Sequence, residues 1–594
     1  AATDVTLTST QHITTNGAVT ATSGNAKITT AGLASDINLN ATSVVNAGDT
    51  ATIETTGSGG GVTPGGAITQ LDGSTVTAAN AVLVDTQGDF STIEIAGDVT
   101  SNTSTVDVKT TGLNSSINID ATGDILASTD ATVASTGDNA GITVDGSITA
   151  TNNKVEITTA GVDSDIALNA TSVVDAGDTG VIETFGASSN ITQLDGSTVT
   201  TANSLDLSTV SDDSTIEIAG DLTSSNSVID VTSTGLNSSI AIDSTGTILA
   251  NAFATVATSG GNAGITFDGS VTSTTASAQV TTSGNTAPIT LGGTSVISAE
   301  TDALVSTTGA ASTIEQATGG SITASTGSVF ISTSNTDSGI TLAGSSTAAF
   351  DSALITTLGS NSGITVTDTG SVTANNLLDV ETLSDNSPIV INGNLTNTNS
   401  LFGTTQVGTF GLNSDITQGA TSNITGAFNS GFATFGDSNI NLNGVTSATS
   451  LVQAEIAGSV GNLALGATAN LAADPITGLV QLKSDHMTFD AGNLLSANMV
   501  QFAAENDTTN IGVAGGTGTL NLTQSAFDGI TANNIFIGDS TTNSTITVGQ
   551  LNLAGIVSDL TFDTLSNVQE ASPLDDSGSN LVNLFMHANN NVYF

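Results

Sequence analysis

Cysteine, tryptophan and arginine are absent from the 594 residues, and lysine occurs only four times, at Lys27, Lys109, Lys154 and Lys483. Without cysteine there is no disulfide framework, no thiolate nucleophile and no cysteine-held zinc. With no arginine and a formal net charge of −50, the chain has neither a surface that releases counterions from nucleic acid nor a polybasic patch for an anionic membrane. Arginine clamps on a transferring phosphoryl group are excluded as well. Aromatic residues make up 3%, too few for rows of stacking platforms beneath a sugar chain. No apolar run reaches 18 residues, so no segment reads as a membrane-spanning helix. His12, His486 and His587 stand far apart with no metal-ligand spacing between them.

Regularity is present instead. Apolar residues make up 37% of the chain and are placed periodically, unlike the composition of an acidic disordered segment. ITQLDGSTVT begins at Ile68 and again at Ile191, STIEIAGD at Ser91 and Ser214, and TGLNSSI at Thr111 and Thr234, each pair 123 residues apart. An earlier pair, at Ser35 and Ser164, is offset by 129 because GSGGGVTPGG lengthens one loop. Inside this block lies a shorter period. An isoleucine follows each Ser/Asn/Asp/Gly-rich turn at 13, 37, 68, 93, 117, 142, 166, 191, 216, 240 and 265, then at 289, 314, 340, 364, 389, 416 and 440. Apart from the lengthened loop the steps are 24 or 25 residues, with one of 26 and one of 27. The 123-residue block is therefore five short repeats, duplicated within 37–270.

Each short repeat reads as three short strands with Gly, Asn, Asp and Ser at the corners. Examples are Ile117-Asn118-Ile119 and Val106-Asp107-Val108. Thr, Val and Ile favour strands, and no stretch has helical length. Strands of three to five residues between recurring turns predict pairing with the equivalent strand one repeat later: an all-β, parallel β-solenoid. About 23 or 24 coils at ~4.8 Å each give a rod on the order of 110 Å. Ile, Val, Leu and Ala are expected inside, with Thr, Ser, Asn, Asp and Glu outside. Phe402, Phe410, Phe428, Phe432 and Phe435 are expected to stack within the core of wider coils. The expected organisation is an N-terminal strand or cap over 1–12, regular coils over 13–450, an irregular continuation over 451–570, and a tail over 571–594.

No catalytic constellation can be picked out from the repeats, and the expectation is a protein without enzymatic activity. Corner carboxylates are hard-oxygen ligands. Asp72, Asp98, Asp195 and Asp221 represent them as candidate sites for weakly bound calcium, the one cofactor expected. In the tail, Leu581, Leu584, Phe585, Val592, Tyr593 and Phe594 follow an acidic linker and are the candidate assembly residues, as a cap or an inter-subunit strand.

In its repeat grammar the chain resembles, over roughly residues 10–570, the rod regions of filamentous-haemagglutinin-like adhesins and the β-strand-repeat surface proteins of Gram-negative bacteria. The Asn-Pro-Asn-Leu and Asn-Pro-x-Gly-Ile motifs of the adhesins' secretion domain do not occur in it. The resemblance implies right-handed coils and an extracellular or cell-surface location, with the Ala-rich start read as a mature chain after signal-peptide removal. The expected function is structural: a rigid acidic rod self-associating, end to end or laterally, into a filament, layer or matrix. The alternatives are an adhesin stalk binding a surface glycan or receptor, and, less favoured, a polysaccharide-active β-helix enzyme.

Overall fold

The inward-facing isoleucines dictate the architecture. The computed structural model describes residues 3–57, 65–552, 559–572 and 583–593; the lengthened loop lies, at 58–64, outside them. It is a right-handed, all-parallel β-solenoid of about 23 coils. Among the described residues the only helical element is one short 3-10 turn, Gln524–Ala526. Two compact units are distinguished, Ala1–Thr290 with Thr294–Glu300, and Leu291–Gly293 with Thr301–Phe594.

A single coil of the first unit illustrates the rest. Ser116–Ile119 lies on a first face, Asp124–Ala127 on a second and Ala131–Ser135 on a third. Each pairs in parallel with the equivalent strand one coil on. On the first face Ile117 stands against Ile142, then Ile166, Ile191, Ile216, Ile240 and Ile265. In the second unit Ile314, Ile340, Ile364, Ile389, Ile416 and Ile440 form the same ladder, continued by Leu463 and Met487. The spacing in the sequence was thus the pairing register itself. Alternation sorts the rest: on Val106–Thr110, Val106, Val108 and Thr110 are buried while Asp107 and Lys109 face out.

Threonine and serine depart from the expected outward placement. The last inward residue of each third-face strand is usually threonine. Across the following corner it donates to the carbonyl of a buried serine five residues on, as in Thr159 to Ser164 (2.6 Å), Thr184 to Ser189 (3.0 Å) and Thr382 to Ser387 (2.7 Å). The serines form their own ladder. The N–H of Ser164 donates to Ser189 Oγ, that of Ser189 to Ser214 Oγ and that of Ser214 to Ser238 Oγ, at 2.9, 3.2 and 3.1 Å. Ser164 Oγ and Ser189 Oγ donate back to the carbonyls of Gly137 and Gly161, both at 3.0 Å. The second unit repeats the ladder from Ser338 through Ser362, Ser387 and Ser414 to Ser438. Burying the hydroxyls of these named pairs and ladders costs little because they are partnered inside; Ser91 Oγ and Thr409 Oγ1, at equivalent positions, are not.

Among the described residues a positive φ, near 55°, marks fifteen corners between Ala34 and Asn413; the next residue is serine at twelve of them and alanine at Ala140, Ala263 and Ala287. Asn and Asp hold ten of them, in keeping with their tolerance of this conformation. Corner aspartates also serve structure: Asp89, Asp138 and Asp212 accept the N–H of Leu113, Val162 and Leu236 on the next coil, at 2.8–2.9 Å. Where Ala140 replaces the corner serine, no hydroxyl receives the N–H of Ser115. Ala140→Ser would supply one beside the Gly112 carbonyl, and is expected to stabilise the first unit by about 0.5–1.5 kcal/mol, read as a rise in urea midpoint.

The turns between first and second faces follow a rhythm. Their lengths run four, four, two, four, two residues at 40–43, 71–74, 96–97, 120–123 and 145–146. The order recurs at 169–172, 194–197, 219–220, 243–246 and 268–269, and a third time from 292–295 to 392–393. A four-residue turn following a two-residue one reaches down with a threonine hydroxyl, as Thr122 does to the Ala96 carbonyl (2.8 Å) and Thr369 to that of Ala343 (2.9 Å). Buried Gln70, Gln193 and Gln316 mark the same place in all three copies, each donating to the carbonyl that opens the next second-face strand, Asp98, Asp221 and Ser345. The block is therefore present three times. The third copy keeps the turns and the glutamine after most of the wording has diverged.

Coil shape changes from Leu494. Leu494–Ala503 runs unbroken, pairing first with Asn470–Ala472 and then with Leu479–Lys483. Phe489, Phe502 and Phe527 fill the interior there, with ring centroids 5.7 and 5.8 Å apart. Asn583–Ala588 pairs with Asp559–Thr564, and Asn591–Tyr593 with Asn567–Glu570, so these tail residues extend the stack as further strands.

Candidate functional site

The candidate calcium ligands are separated by role. Asp72 and Asp195 sit exposed in four-residue turns, and Asp98 and Asp221 open second-face strands. The carbonyls of Asp98 and Asp221 receive the glutamine amides, and the Asp221 carboxylate accepts from Thr247. Among the described residues no three acidic or histidine side chains converge as a metal-holding group. Two histidines pair with acids one coil away, His12 with Asp36 (3.1 Å) and His587 with Asp563 (2.7 Å). Of the tail residues, Leu584, Phe585 and Tyr593 are exposed and Val592 is half-buried; Leu581 and Phe594 lie outside the described residues.

A cleft of about 220 Å³ opens on the outer side of the third face within the second unit. It arises from an interruption in side-chain size. Asp379 and Glu381 point outward from Leu377–Thr382, and on the next strand, Thr404–Thr409, the equivalent positions hold Gln406 and Gly408. On Asn429–Phe435 they hold Gly431 and Ala433, and Gln453 and Glu455 close the far side. Glycine here leaves a hole: a Cβ at Gly431 would meet nothing within 4 Å. One wall is aromatic. Phe410 and Phe435 stack at 4.8 Å with their planes 14° apart, both well exposed. Leu358 and Leu383 on the preceding coils, also exposed, hold equivalent places one residue past the last inward threonine. Of the five phenylalanines expected in the core only Phe432 is fully buried; Phe402, Phe410 and Phe435 are exposed, and Phe428 is half-buried. Phe410 and Phe435 follow a buried Thr409 and Thr434, and that parity turns them out.

The acids at the two ends of the cleft differ in their partners. Lys483 binds both Glu455 (3.1 Å) and Glu505 (2.7 Å). Its burial works against the charge, but the hydrogen bonds to Glu505 and Glu455 outweigh it and hold the ammonium above the usual lysine range. Asp379 has no such partner, and burial, reinforced by the charge of Glu381, pushes it up from 3.8 to about 6. Burial raises Glu381 as well. A carboxyl with a folded pKa above its unfolded value contributes stability that is fully present below the unfolded value and lost as pH rises through the folded one. The urea midpoint of the wild type is therefore expected to fall between about pH 4 and about pH 6, and Asp379→Asn to make that fall shallower.

No family model, no curated protein and no solved structure matches the chain.

Proposed function

We propose that the chain is an extracellular structural protein of a bacterial surface, an acidic scaffold that self-associates into a filament, layer or matrix. The observation that carries this reading is the continuous locking of coil to coil: three parallel ladders outside and a serine–threonine ladder inside, repeated along each unit. Such a stack gains stability with every coil and suits a part that bears load. Self-association is supported by the strand Asn583–Ala588. It exposes the apolar side chains of Leu584 and Phe585, and exposed apolar surface favours contact with another chain. Calcium would act here as a screen, held weakly by exposed acids such as Asp72, Asp98, Asp195 and Asp221 on a chain of net charge −50. One observation favours the adhesin reading: the exposed apolar row from Leu358 to Phe435 beside the cleft.

Sedimentation velocity over a concentration series, with and without calcium, tests the assembly. Species larger than one chain should grow with concentration, more so with calcium, and Phe585→Lys should suppress them. A single monomer boundary throughout would refute the reading.

A further inference from the structure

We propose that the cleft beside Asp379 and Glu381 binds a primary alkylammonium group, carried on a lysine side chain of a partner protein or on a free amine. The chain supplies the precedent. All four lysines lie on or beside third-face strands, and each pairs with an acid there. Lys109 pairs with Asp107 (3.3 Å) two residues away on one strand, and Lys154, just before a strand, with Glu156 (3.0 Å) two residues on; Lys27 reaches Glu54 (3.1 Å) on the next coil. Asp379 and Glu381 repeat the two-residue spacing with an acid in the place of the lysine. The flanking strands offer no cation: Leu354 and Thr356 face out before them, Gln406 and Gly408 after. The nearest ammonium across the cleft belongs to Lys483, already held by Glu455 and Glu505.

Beside this uncompensated pair, the missing side chain at Gly431 leaves room for an alkyl stem, and the exposed Phe410–Phe435 stack offers it an apolar wall. An ammonium near an aromatic ring is attracted to it as well, and the charge-assisted hydrogen bonds it would donate to carboxylates are the strong kind. Burial, reinforced by the charge of Glu381, raises the pKa of Asp379, the direction that a cation placed beside the pair would oppose. In the first unit Asp206 and Asp230 also face each other without a lysine between them, but side chains fill the outward positions around them and no glycine gap opens there. They serve as the control for diffuse attraction to an acidic surface.

Isothermal calorimetry with n-butylammonium, the lysine side-chain analogue, tests the proposal at physiological salt, with 1-butanol and a neutral glucose oligomer as comparison ligands. Saturable binding of the amine is expected, weakened about 10-fold by Asp379→Asn or Glu381→Gln and about 3-fold by Phe435→Ala. Asp206→Asn should leave it unchanged. Affinity should also fall between about pH 8 and about pH 5 as Asp379 gains its proton. A lysine-containing tripeptide distinguishes the sources: tighter binding than the free amine assigns a protein partner, weaker binding a small molecule. The proposal is overturned if the amine does not bind, if Asp206→Asn weakens it as much as Asp379→Asn, or if butanol or the oligomer binds as well.

Discussion

Ile216→Ala should cost the first unit about 2–5 kcal/mol, the range for truncating a fully buried aliphatic side chain. Ile216 is 0% exposed and stands between Ile191 and Ile240 in the first-face ladder. Parallel strands on either side fix its backbone, so the hole left by the missing methylenes cannot close by a shift of one strand alone. Its neighbour Glu217 is paired in the same two ladders but faces water. Glu217→Ala should change stability by no more than about 0.5 kcal/mol. Urea unfolding of the two variants beside the wild type checks both values. Equal effects would mean that the alternation of this strand does not define inside and outside.

Phe432→Ala is the second large effect, about 3–5 kcal/mol. Phe432 is 1% exposed and stands between Val407 and Ala454 in the third-face ladder. Large against small is how that layer fills: Ala454 is followed by Leu482, and the volume missing at Ala454 accommodates the ring below it. Removing the ring leaves two adjacent coils underfilled, directly under the floor of the cleft. Phe435→Ala, three residues away and exposed, removes only its stack with Phe410, a loss of about 0.5–1.5 kcal/mol. Thermal and urea unfolding read the contrast, which separates the core phenylalanine from the pair on the surface.

How far the sequence is legible depends on what kind of residue carries the information. The isoleucine after each corner is both chemically distinctive and regularly spaced, and in that series the residues from 13 to 265 and from 314 to 440 are rungs of the observed ladders. Threonine and serine were harder because their abundance hides the few that turn inward. Parity alone distinguishes them: Thr110 shares the inward side with Val106 and Val108, and Ser115 follows the positive-φ corner residue Asn114. The third copy of the block was hidden for a different reason. Its words have changed, while turn length and the buried Gln316 remain. The cleft left almost no trace. It depends on two glycines, Gly408 and Gly431, in a chain with 65, and on two phenylalanines whose outward parity is set by the threonines before them.

Self-association is the claim on which the structural reading depends most, and electron microscopy of the purified chain in negative stain, with and without millimolar calcium, tests it most directly. Filaments or sheets containing many chains, more extensive with calcium, are the predicted result. Single, separate particles in both conditions would contradict it and leave the adhesin reading in its place.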